Sequence, residues 1–416
     1  MENKRIFLFI FFLICCFRIY SDDHDIQYYF DLAIQQADRN QHEQAIENYT
    51  KVINMAPNHP GIYAVYNNRG ISYHDIGNYA NAIADYSKAI IIKPDYDEAY
   101  NNRGFSYFTI SEVDKAIEDY NKAIEINPKH FLAYLNRAAA FEKKGDVKSA
   151  INDYSRALLI NPGNAAVLYQ RGLNYRKIKE LELACNDFTA VIKIMPDFFN
   201  AYYQRVMIYE ELHELEKAIP DYTKLISLSD DPVLFYVFRG YSYIRIRQYD
   251  NANNDLSKAI SINPKLAIAY NYFGKLYFET GYYDRALEYY TMAVEIDNNY
   301  EEAYISRAMV YRRKGELDNA ISQYTYLLSR YPDDTSINLN RGVVYAALKM
   351  YDAAIEDYLK RIKTHPEEEG AYNNIALAYF GKKDYSSAIN YFILALEINS
   401  SDFMILQNLG CVYSQT

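Results

Sequence analysis

Arginine and aspartate recur sixteen residues apart at seven places in the sequence. Guanidinium and carboxylate groups form strong bidentate hydrogen bonds when they face each other. The pairs are Arg69–Asp85, Arg103–Asp119, Arg137–Asp153, Arg171–Asp187, Arg205–Asp221, Arg239–Asp255 and Arg341–Asp357. The two types are also lost together, as Leu32 with Asn48, Phe273 with Tyr289 and Ile375 with Tyr391, whereas Arg307 stands opposite Gln323. We therefore predict a salt bridge within each pair at a partly buried seam. A ladder of arginines that binds anionic ligands is the alternative interpretation.

Patterns that would indicate catalysis or metal binding do not occur in the sequence. The seven histidines are scattered, with no HExxH and no cluster with cysteine. The glycines form neither GxGxxG nor GxxxxGK[ST], so no phosphate-binding loop is expected. The sequence predicts a protein that is not an enzyme and has no cofactor and no metal site.

The composition limits the partners. The net charge is −10 and no basic stripe is present, which argues against nucleic acid as a ligand. Outside the first 21 residues the chain has two cysteines, Cys185 and Cys411, far apart in the sequence. We expect both to be small buried hydrophobic residues and not a disulfide.

The elements that hold the Arg–Asp pairs repeat every 34 residues. In the stretch 97–130, seven residues mark the unit, and the same or similar types return 34 residues later. These residues are Tyr100, Gly104, Tyr107, Ala116, Tyr120, Ala123 and Pro128. Apolar residues three to four apart predict two helices in each unit, with Arg103 on the first and Asp119 on the second. Small residues at the Gly104 and Ala116 offsets allow the two helices to cross closely, and the Ala116 offset is alanine in all eleven units.

This pattern closely resembles the tetratricopeptide repeat, from Ile26 to the end of the chain. The resemblance implies an all-α fold, an α-solenoid in which antiparallel helix pairs of 34-residue period form a right-handed superhelix. The predicted repeats are 26–59 (divergent), 63–96, 97–130, 131–164, 165–198, 199–232, 233–266, 267–300, 301–334, 335–368 and 369–402, followed by a C-terminal capping helix at 403–416. In the sixth repeat, Pro220 either lies harmlessly in a first helical turn or marks a hinge near 220–232.

The resemblance also implies a concave groove lined by the first helices. In the third repeat the lining would be Glu98, Asn101, Phe105, Phe108 and Thr109. Farther along, the same offsets carry aromatic and basic residues: Lys143, Tyr169, Arg176, Lys177, Tyr203, Tyr241, Arg245, Lys275, Phe278, Arg312 and Arg313. Such a groove could hold an extended peptide that carries carboxylates. The alternative is that these basic side chains are only solvated and that the aromatic rings pack within the fold.

One function known for the family is excluded by the sequence. Chaperone-tail-binding members hold a terminal carboxylate with lysine and asparagine on successive first helices. The offset of the first lysine is never lysine here, and it is asparagine at Asn67 and Asn101. The column Asn68, Asn102 and Asn136 alone does not make such a clamp.

Residues 1–21 differ from the rest of the chain. Lys4 and Arg5 precede twelve unbroken apolar residues, Ile6 to Phe17, and a polar exit. This order is typical of a secretory signal peptide, and twelve residues span only about 18 Å as a helix, too short for a bilayer core. We predict export with cleavage after Ser21. Lipid attachment at Cys15 or Cys16 and an uncut anchor are the alternatives, and the membrane is expected to be reached only through this leader.

Taken together, the sequence predicts an exported, non-catalytic scaffold that binds protein or peptide segments in its groove. The expected location is the periplasm, the exterior or a membrane-anchored cell envelope. Two alternatives remain open: a lipid-anchored envelope-assembly or chaperone-like factor, and a solenoid that binds glycan or another small ligand through its tyrosines.

Overall fold

The computed structural model describes residues 24–415, so the predicted leader lies outside the described residues. Within this range every regular element is an α-helix, and no strand is present. Between residues 24 and 415, no helix combines the length and the apolar character needed to cross a membrane. The chain divides into two compact units, with the division between Ile208 and Tyr209, inside helix α11.

Unit 1 contains ten complete helices and the start of an eleventh. They are α1 His24–Asp38, α2 His42–Met55, α3 Ile62–Asp75, α4 Tyr79–Ile92, α5 Asp97–Thr109, α6 Val113–Ile126, α7 Phe131–Lys144, α8 Val147–Ile160, α9 Ala165–Lys177, α10 Leu181–Ile194 and α11 Phe199–Glu211. The three residues inserted after the first repeat form a turn between α2 and α3, in which the Gly61 N–H donates to His59 Nδ1 at 3.0 Å.

Unit 2 contains the end of α11 and twelve further helices. They are α12 Leu215–Leu228, α13 Val233–Arg245, α14 Tyr249–Ile262, α15 Ala267–Glu279, α16 Tyr283–Ile296, α17 Glu301–Lys314, α18 Leu317–Arg330, α19 Thr335–Ala347, α20 Tyr351–Thr364, α21 Glu369–Gly381, α22 Tyr385–Ile398 and α23 Phe403–Tyr413. Pro220 lies beyond the first turn of α12, which continues through it to Leu228. The predicted hinge at 220–232 stays a prediction.

In each of the eleven helix pairs, a residue in the left-handed conformation follows the first helix. Four of these positions are glycine, among them Gly145 with φ of 80°. Glycine adopts this conformation without a Cβ clash. The same offset is taken by seven other residues with positive φ: Asn40, Ser111, Lys179, His213, Arg247, Lys349 and Lys383. At Ser111 the turn closes with hydrogen bonds from Ser111 N–H to Phe108 O and from Glu112 N–H to Tyr107 O. The chain therefore reverses in the same way at every helix pair, whether or not glycine is available.

The core of each pair is built where its two helices cross. Ala116 and Tyr120 on α6 are fully buried, and a Cβ added at Gly104 on α5 would lie 2.8 Å from the Tyr120 ring. Such an approach is shorter than any ordinary carbon–carbon contact. The small residue on the first helix therefore makes room for the aromatic residue on the second.

The pairs then stack along each unit. Consecutive helices contact each other from α1 to α10 in unit 1 and from α12 to α23 in unit 2. Neighbouring first helices also contact each other: α1 with α3, α3 with α5 and α5 with α7 in unit 1, and α13 with α15, α15 with α17, α19 with α21 and α21 with α23 in unit 2. The predicted all-α solenoid of paired helices is confirmed. Where these contacts are made, the first helices of neighbouring repeats share a surface within their unit, on the side where the groove was predicted.

The two cysteines lie in different surroundings. Cys185 is half-buried and packs against the core of unit 1. Cys411 is exposed on α23, so the prediction that it is buried is wrong. Its position corresponds to that of Phe105, on the side where the groove was predicted, and Leu377 at the same offset is exposed too.

Candidate functional site

The Arg–Asp seam lies between the two helices of each pair. In six pairs, the arginine Nε donates to one carboxylate oxygen and Nη2 to the other, at 2.7–2.8 Å. The structure brings together Arg69–Asp85, Arg103–Asp119, Arg137–Asp153, Arg171–Asp187, Arg239–Asp255 and Arg341–Asp357. Arg205 and Asp221 belong to different compact units, and their pairing stays a prediction.

Each seam arginine also contacts the preceding repeat, which the sequence analysis missed. Arg103 Nη1 donates to Ser87 Oγ on α4 at 2.9 Å, and Arg171 Nη1 donates to Ser155 Oγ on α8 at 3.0 Å. The corresponding acceptors for the other arginines are Thr50, Asn121, Thr189, Thr223, Thr291 and Thr325. A column of short polar residues directly after the Tyr120 offset was the signal in the sequence. One guanidinium thus joins three helices.

These contacts leave the seam arginines little capacity for a ligand. Burial alone would lower the pKa of Arg103, but the hydrogen bonds with Asp119 and the negative charge of Asp119 together outweigh burial and raise that pKa, so the guanidinium stays charged. Its Nε and both Nη atoms already donate within the protein. The geometry therefore favours the structural interpretation of the seam over a ladder for anions.

Asn101 does not line an open groove, and that prediction is wrong. Its side chain is buried, and its Oδ1 accepts a hydrogen bond at 3.0 Å from Asn136 Nδ2 on the next first helix. In the same way Asn102 Nδ2 donates to Asn67 Oδ1 at 3.1 Å. The asparagine columns therefore connect neighbouring first helices, because a buried amide needs partners for both its donor and its acceptor.

In unit 1 the predicted aromatic residues of α5 are half-buried and packed. The Phe105 ring lies 5.0 Å from the His74 ring of α3. Burial lowers the pKa of His74 to about 4, so that it is neutral at pH 7. Lys143 Nζ on α7 lies 5.0 Å above the Phe108 ring and donates to Ser111 Oγ at 3.0 Å. Part of this surface is thus already occupied by contacts within the chain.

Farther along unit 1, Tyr169 is also packed. Its ring lies 5.6 Å from Phe188 and 5.3 Å from Phe198. Gln204 connects it to Arg176, because Arg176 Nη1 donates to Gln204 Oε1 and Gln204 also hydrogen-bonds the Tyr169 hydroxyl. Sequence reasoning had no signal for this bridge.

Two further predicted residues of unit 1 are open to solvent. Lys177 is exposed and lies 4.0 Å from Glu142 Oε1. Tyr203 is exposed and stacks on Phe199 at 6.4 Å. Tyr203 therefore offers a ring that a ligand could reach.

Glu98 lies half-buried at the start of α5. Burial, together with its hydrogen bond to the neighbouring Asp97 carboxylate, raises the pKa of Glu98 to about 7. Asp97 Oδ2 accepts a hydrogen bond from Asn127 Nδ2 at 2.7 Å. The pair therefore holds one proton near neutral pH, with Asp97 as the ionised partner.

We expect this helix pair to lose stability as the pH rises from 5 to 8. Because the pKa of Glu98 is higher in the folded state than the ordinary 4.5 of glutamate, its protonated form stabilises the fold. This stabilisation is complete below pH 4.5 and is lost as the pH rises through 7. Glu98→Gln should remove the dependence and be more stable than the parent at pH 8 by about 1 kcal/mol, a value reduced for the partial exposure of Glu98. Amide hydrogen exchange in α5 at several pH values measures this. Glu302→Gln, at the same offset on α17 and exposed, is the control; equal pH dependence in the Glu98 and Glu302 variants would contradict the assignment.

The surface of α13, α15 and α17 in unit 2 brings aromatic rings of two neighbouring first helices together with basic side chains. Tyr241 on α13 stacks on Tyr272 of α15, with 4.8 Å between ring centroids. Lys275 Nζ lies 4.8 Å from the centroid of the Tyr241 ring, and Arg245 Nη1 donates to the Tyr241 hydroxyl at 3.0 Å. Tyr272 was not predicted, although tyrosine stands there at the offset of Asn102 and Asn136. The structure therefore brings Tyr241, Arg245 and Lys275 together.

The remaining predicted residues continue this surface. Phe278 on α15 is half-buried against the Tyr283 ring at 5.6 Å. Arg312 is half-buried and Arg313 exposed, both in the last turn of α17. Burial and then the Glu302 carboxylate raise the pKa of Tyr272 above its ordinary value, so its hydroxyl stays neutral. We call Tyr241, Arg245, Lys275, Phe278, Arg312 and Arg313 the cationic face.

Comparison with protein families accounts for the repeats. Models described as tetratricopeptide repeat match residues 97–130, 131–164, 239–301, 305–368, 26–59, 199–232 and 369–402, and a model described as TPR repeat matches 70–111. Together they cover well over half of the chain. The chain belongs to the tetratricopeptide repeat family. A comparison with curated proteins found no match.

Solved structures similar to this tetratricopeptide chain include three of different size. MamA is 25% identical, with 38% of this chain and 93% of MamA covered and a TM-score of 0.37. Cut9, in the APC/C hetero-tetramer Cut9–Hcn1, is 16% identical, with 94% and 97% covered and a TM-score of 0.45. YrrB, described as a TPR protein with an unusual peptide-binding site, is 18% identical, with 52% and 95% covered and a TM-score of 0.34.

Within this tetratricopeptide fold the candidate site is a surface formed by neighbouring first helices. Among residues 24–415, no group of three or more His, Cys, Asp or Glu side chains is arranged to hold a metal ion. The fold is typical of protein–protein interaction. The aromatic rings of the cationic face can stack on a planar or apolar group of a ligand, and its basic side chains can neutralise carboxylates.

Proposed function

We propose that this protein is a non-catalytic tetratricopeptide scaffold whose cationic face binds an extended protein segment rich in carboxylates and carrying aromatic side chains. A segment of this kind places its carboxylates opposite the guanidinium and ammonium groups. Its aromatic side chains add to the Tyr241–Tyr272 stack. Aromatic and arginine side chains are the residue types that most often dominate binding energy at protein interfaces.

One observation carries the proposal. Arg245, Lys275, Arg312 and Arg313 have no carboxylate partner within residues 24–415, although the chain carries a net charge of −10. Lys314, the next residue in the last turn of α17, is paired instead, with Asp284 and Glu316 at 2.7–2.8 Å. Since α13 touches α15 and α15 touches α17, and the four cations stand at the predicted groove positions, we infer that they share one side of unit 2. The surface therefore has charge available for an acidic partner.

The proposal predicts binding of a fluorescein-labelled octapeptide that alternates glutamate and phenylalanine. Lys275→Glu combined with Arg312→Glu should weaken the interaction at least tenfold, about 1.4 kcal/mol, because both attractive charges are reversed. Fluorescence anisotropy with the full chain measures the affinity at low and high salt, and higher salt should weaken binding.

Lys258→Glu combined with Lys363→Glu is the matched control. Both residues are exposed on second helices, and the change in net charge is the same. Equal weakening by the control would mean that total charge, and not the face, governs binding. Failure of the acidic peptide to bind the parent protein at millimolar concentration would contradict the proposal outright.

We also propose that the protein acts after export, with residues 1–21 as a cleaved signal peptide. The support is the basic start and the apolar run Ile6 to Phe17. Mass spectrometry of the mature protein should find Asp22 at the N-terminus. A diacylated cysteine at position 15 or 16 would instead favour the lipid-anchored alternative, and an intact Met1 in the cytoplasmic fraction would contradict export.

A further inference from the structure

One side of helix α18 departs from the other second helices at three positions. Gln323 stands where seven repeats carry aspartate, and Tyr326 stands where seven carry lysine or arginine. Arg330 stands where nine repeats carry isoleucine, leucine or methionine. Residues three or four positions apart are neighbours on a helix surface, so the three departures lie together. The 34-residue pattern that builds the fold does not account for them.

The structure gathers these side chains around Tyr304 of α17. The Tyr304 and Tyr326 rings lie 4.9 Å apart, and the Tyr304 hydroxyl donates a hydrogen bond to the Tyr326 hydroxyl. Arg307 lies 5.1 Å from the centroid of the Tyr304 ring, and Arg330 Nη1 donates to the Tyr326 hydroxyl at 2.9 Å. Burial raises the pKa of Tyr304, whereas the charges of Arg307 and Arg330 act in the opposite direction. Both guanidinium groups are therefore close to this pair of hydroxyls.

Among the eight seam arginines, Arg307 faces a neutral residue instead of a carboxylate. Its Nε at 3.0 Å and its Nη2 at 2.5 Å both donate to the single amide oxygen of Gln323. Its Nη1 lies 3.4 Å from Thr291 Oγ1, whereas the corresponding bond of the other seam arginines is 2.6–3.1 Å long. The positive charge of Arg307 is therefore not neutralised at the seam, and its outer nitrogen is loosely held.

Arg330 also has neutral partners and is open to solvent. Besides the Tyr326 hydroxyl, its Nη1 donates to the Asn298 carbonyl oxygen at 3.1 Å and its Nη2 donates to Asn299 Oδ1. Arg330 is exposed, and the Tyr326 side chain is 39% exposed. A ligand can therefore reach the Tyr326 hydroxyl and the guanidinium beside it from the surface.

We propose that Arg307, Arg330 and the hydroxyls of Tyr304 and Tyr326 form a site for a phosphate monoester. Guanidinium and phenol groups donate hydrogen bonds to oxyanions, and arginine suits phosphate in particular. A phosphate monoester carries nearly two negative charges at pH 7 and three acceptor oxygens. These match two positive charges and several donors better than the single charge and two oxygens of a carboxylate do. None of the four residues belongs to the cationic face, so this inference does not rest on the proposed function.

The test uses the full chain and phenyl phosphate, with phosphorus NMR as the measurement of binding. Gln323→Asp restores the residue type of the other seams and neutralises Arg307, and Arg330→Ile restores the residue type of the other helix ends. Each should weaken binding at least tenfold, because a charge-assisted contact is lost. Both variants should fold, since other repeats carry these residue types at the same positions. Circular dichroism checks that they do.

Lys258→Met is the matched control. It stands at the Tyr326 offset of an earlier repeat, is exposed and changes the net charge by the same amount, so it should bind phenyl phosphate as the parent does. Lys275→Glu on the cationic face should also leave this binding unchanged. Equal affinity of the parent and the Gln323→Asp variant, or no binding at millimolar phenyl phosphate, would overturn the proposal. Benzoate that binds as tightly as phenyl phosphate would overturn it as well.

Vesicles separate two sources of the phosphate. Binding of the parent to phosphatidylcholine vesicles that contain phosphatidic acid, lost in Arg330→Ile, would support the site and assign it to a lipid headgroup. Binding of phenyl phosphate without binding of these vesicles would support the site and assign it to a soluble phosphate ester.

Discussion

Asp119→Ala is expected to lower the free energy of unfolding of the α5–α6 pair by about 3 kcal/mol, the lower end for a broken buried ion pair because Arg103 keeps some solvent access. The change removes both acceptors of the bidentate contact and leaves Arg103 with Ser87 as its acceptor. An unpaired charge at a seam is costly because water can no longer solvate it fully. Amide hydrogen exchange in α5 and α6 measures the effect locally, since long repeat arrays need not unfold in one step.

The chain itself offers the control for this prediction. At the same offsets in the α15–α16 pair, Phe273 and Tyr289 replace the ion pair and stack at 4.8 Å. Arg103→Phe combined with Asp119→Tyr should therefore stay within about 1 kcal/mol of the parent, as buried ion pairs replaced by apolar residues often do. A double variant as unstable as Asp119→Ala alone would show that packing, and not the unpaired charge, causes the loss.

Gly104→Leu is expected to lower the free energy of unfolding of the α5–α6 pair by a similar amount, about 3 kcal/mol. The new Cβ would lie 2.8 Å from the Tyr120 ring and 3.1 Å from the Ala116 carbonyl oxygen, and the backbone oxygen cannot move aside cheaply. Replacing glycine by leucine inside a helix would by itself stabilise the helix by about 1 kcal/mol. The net loss therefore requires that the clash cost more than this gain. Thermal unfolding and hydrogen exchange of α5 and α6 would record the loss.

Gly410→Leu serves as the matched control, because the same offset is uncovered on α23. Its stability should equal or slightly exceed that of the parent. A similar loss in both variants would mean that helix geometry at this offset, and not contact with the second helix, makes a small residue necessary.

The fold could be predicted from the sequence because the same environment recurs every 34 residues. Ala116 and Tyr120 meet the same neighbours as their counterparts in other repeats, so repetition within one chain reveals which positions are packed. The joint loss of arginine and aspartate at Phe273 and Tyr289 pointed to the seam in the same way. Contacts made inside a repeating unit constrain the same positions in every repeat, and the sequence therefore shows the same residue types there.

The surface was harder to predict because its contacts do not repeat. The position of a residue within the repeat identifies the side of the helix on which it lies, but not the neighbour that a long side chain reaches. Asn101 lies on the predicted side, yet the next first helix takes its amide into a buried hydrogen bond. Tyr169 likewise packs on Phe188 and Phe198. The hydroxyl acceptors such as Ser87 were overlooked because serine and threonine are equally common on solvated helix faces.

The third contact of each seam arginine has a consequence for cooperativity. In a linear array, stability is the sum of the intrinsic terms of the repeats and the coupling between neighbours. The Arg103–Ser87 bond adds to that coupling, since it joins one repeat to the one before it. Phe273 and Ile375 cannot make the bond, so this part of the coupling is absent where their repeats meet the preceding ones. At the Phe273 junction the Tyr241–Tyr272 stack still joins α13 to α15, so partial unfolding of unit 2 should start at the Ile375 junction.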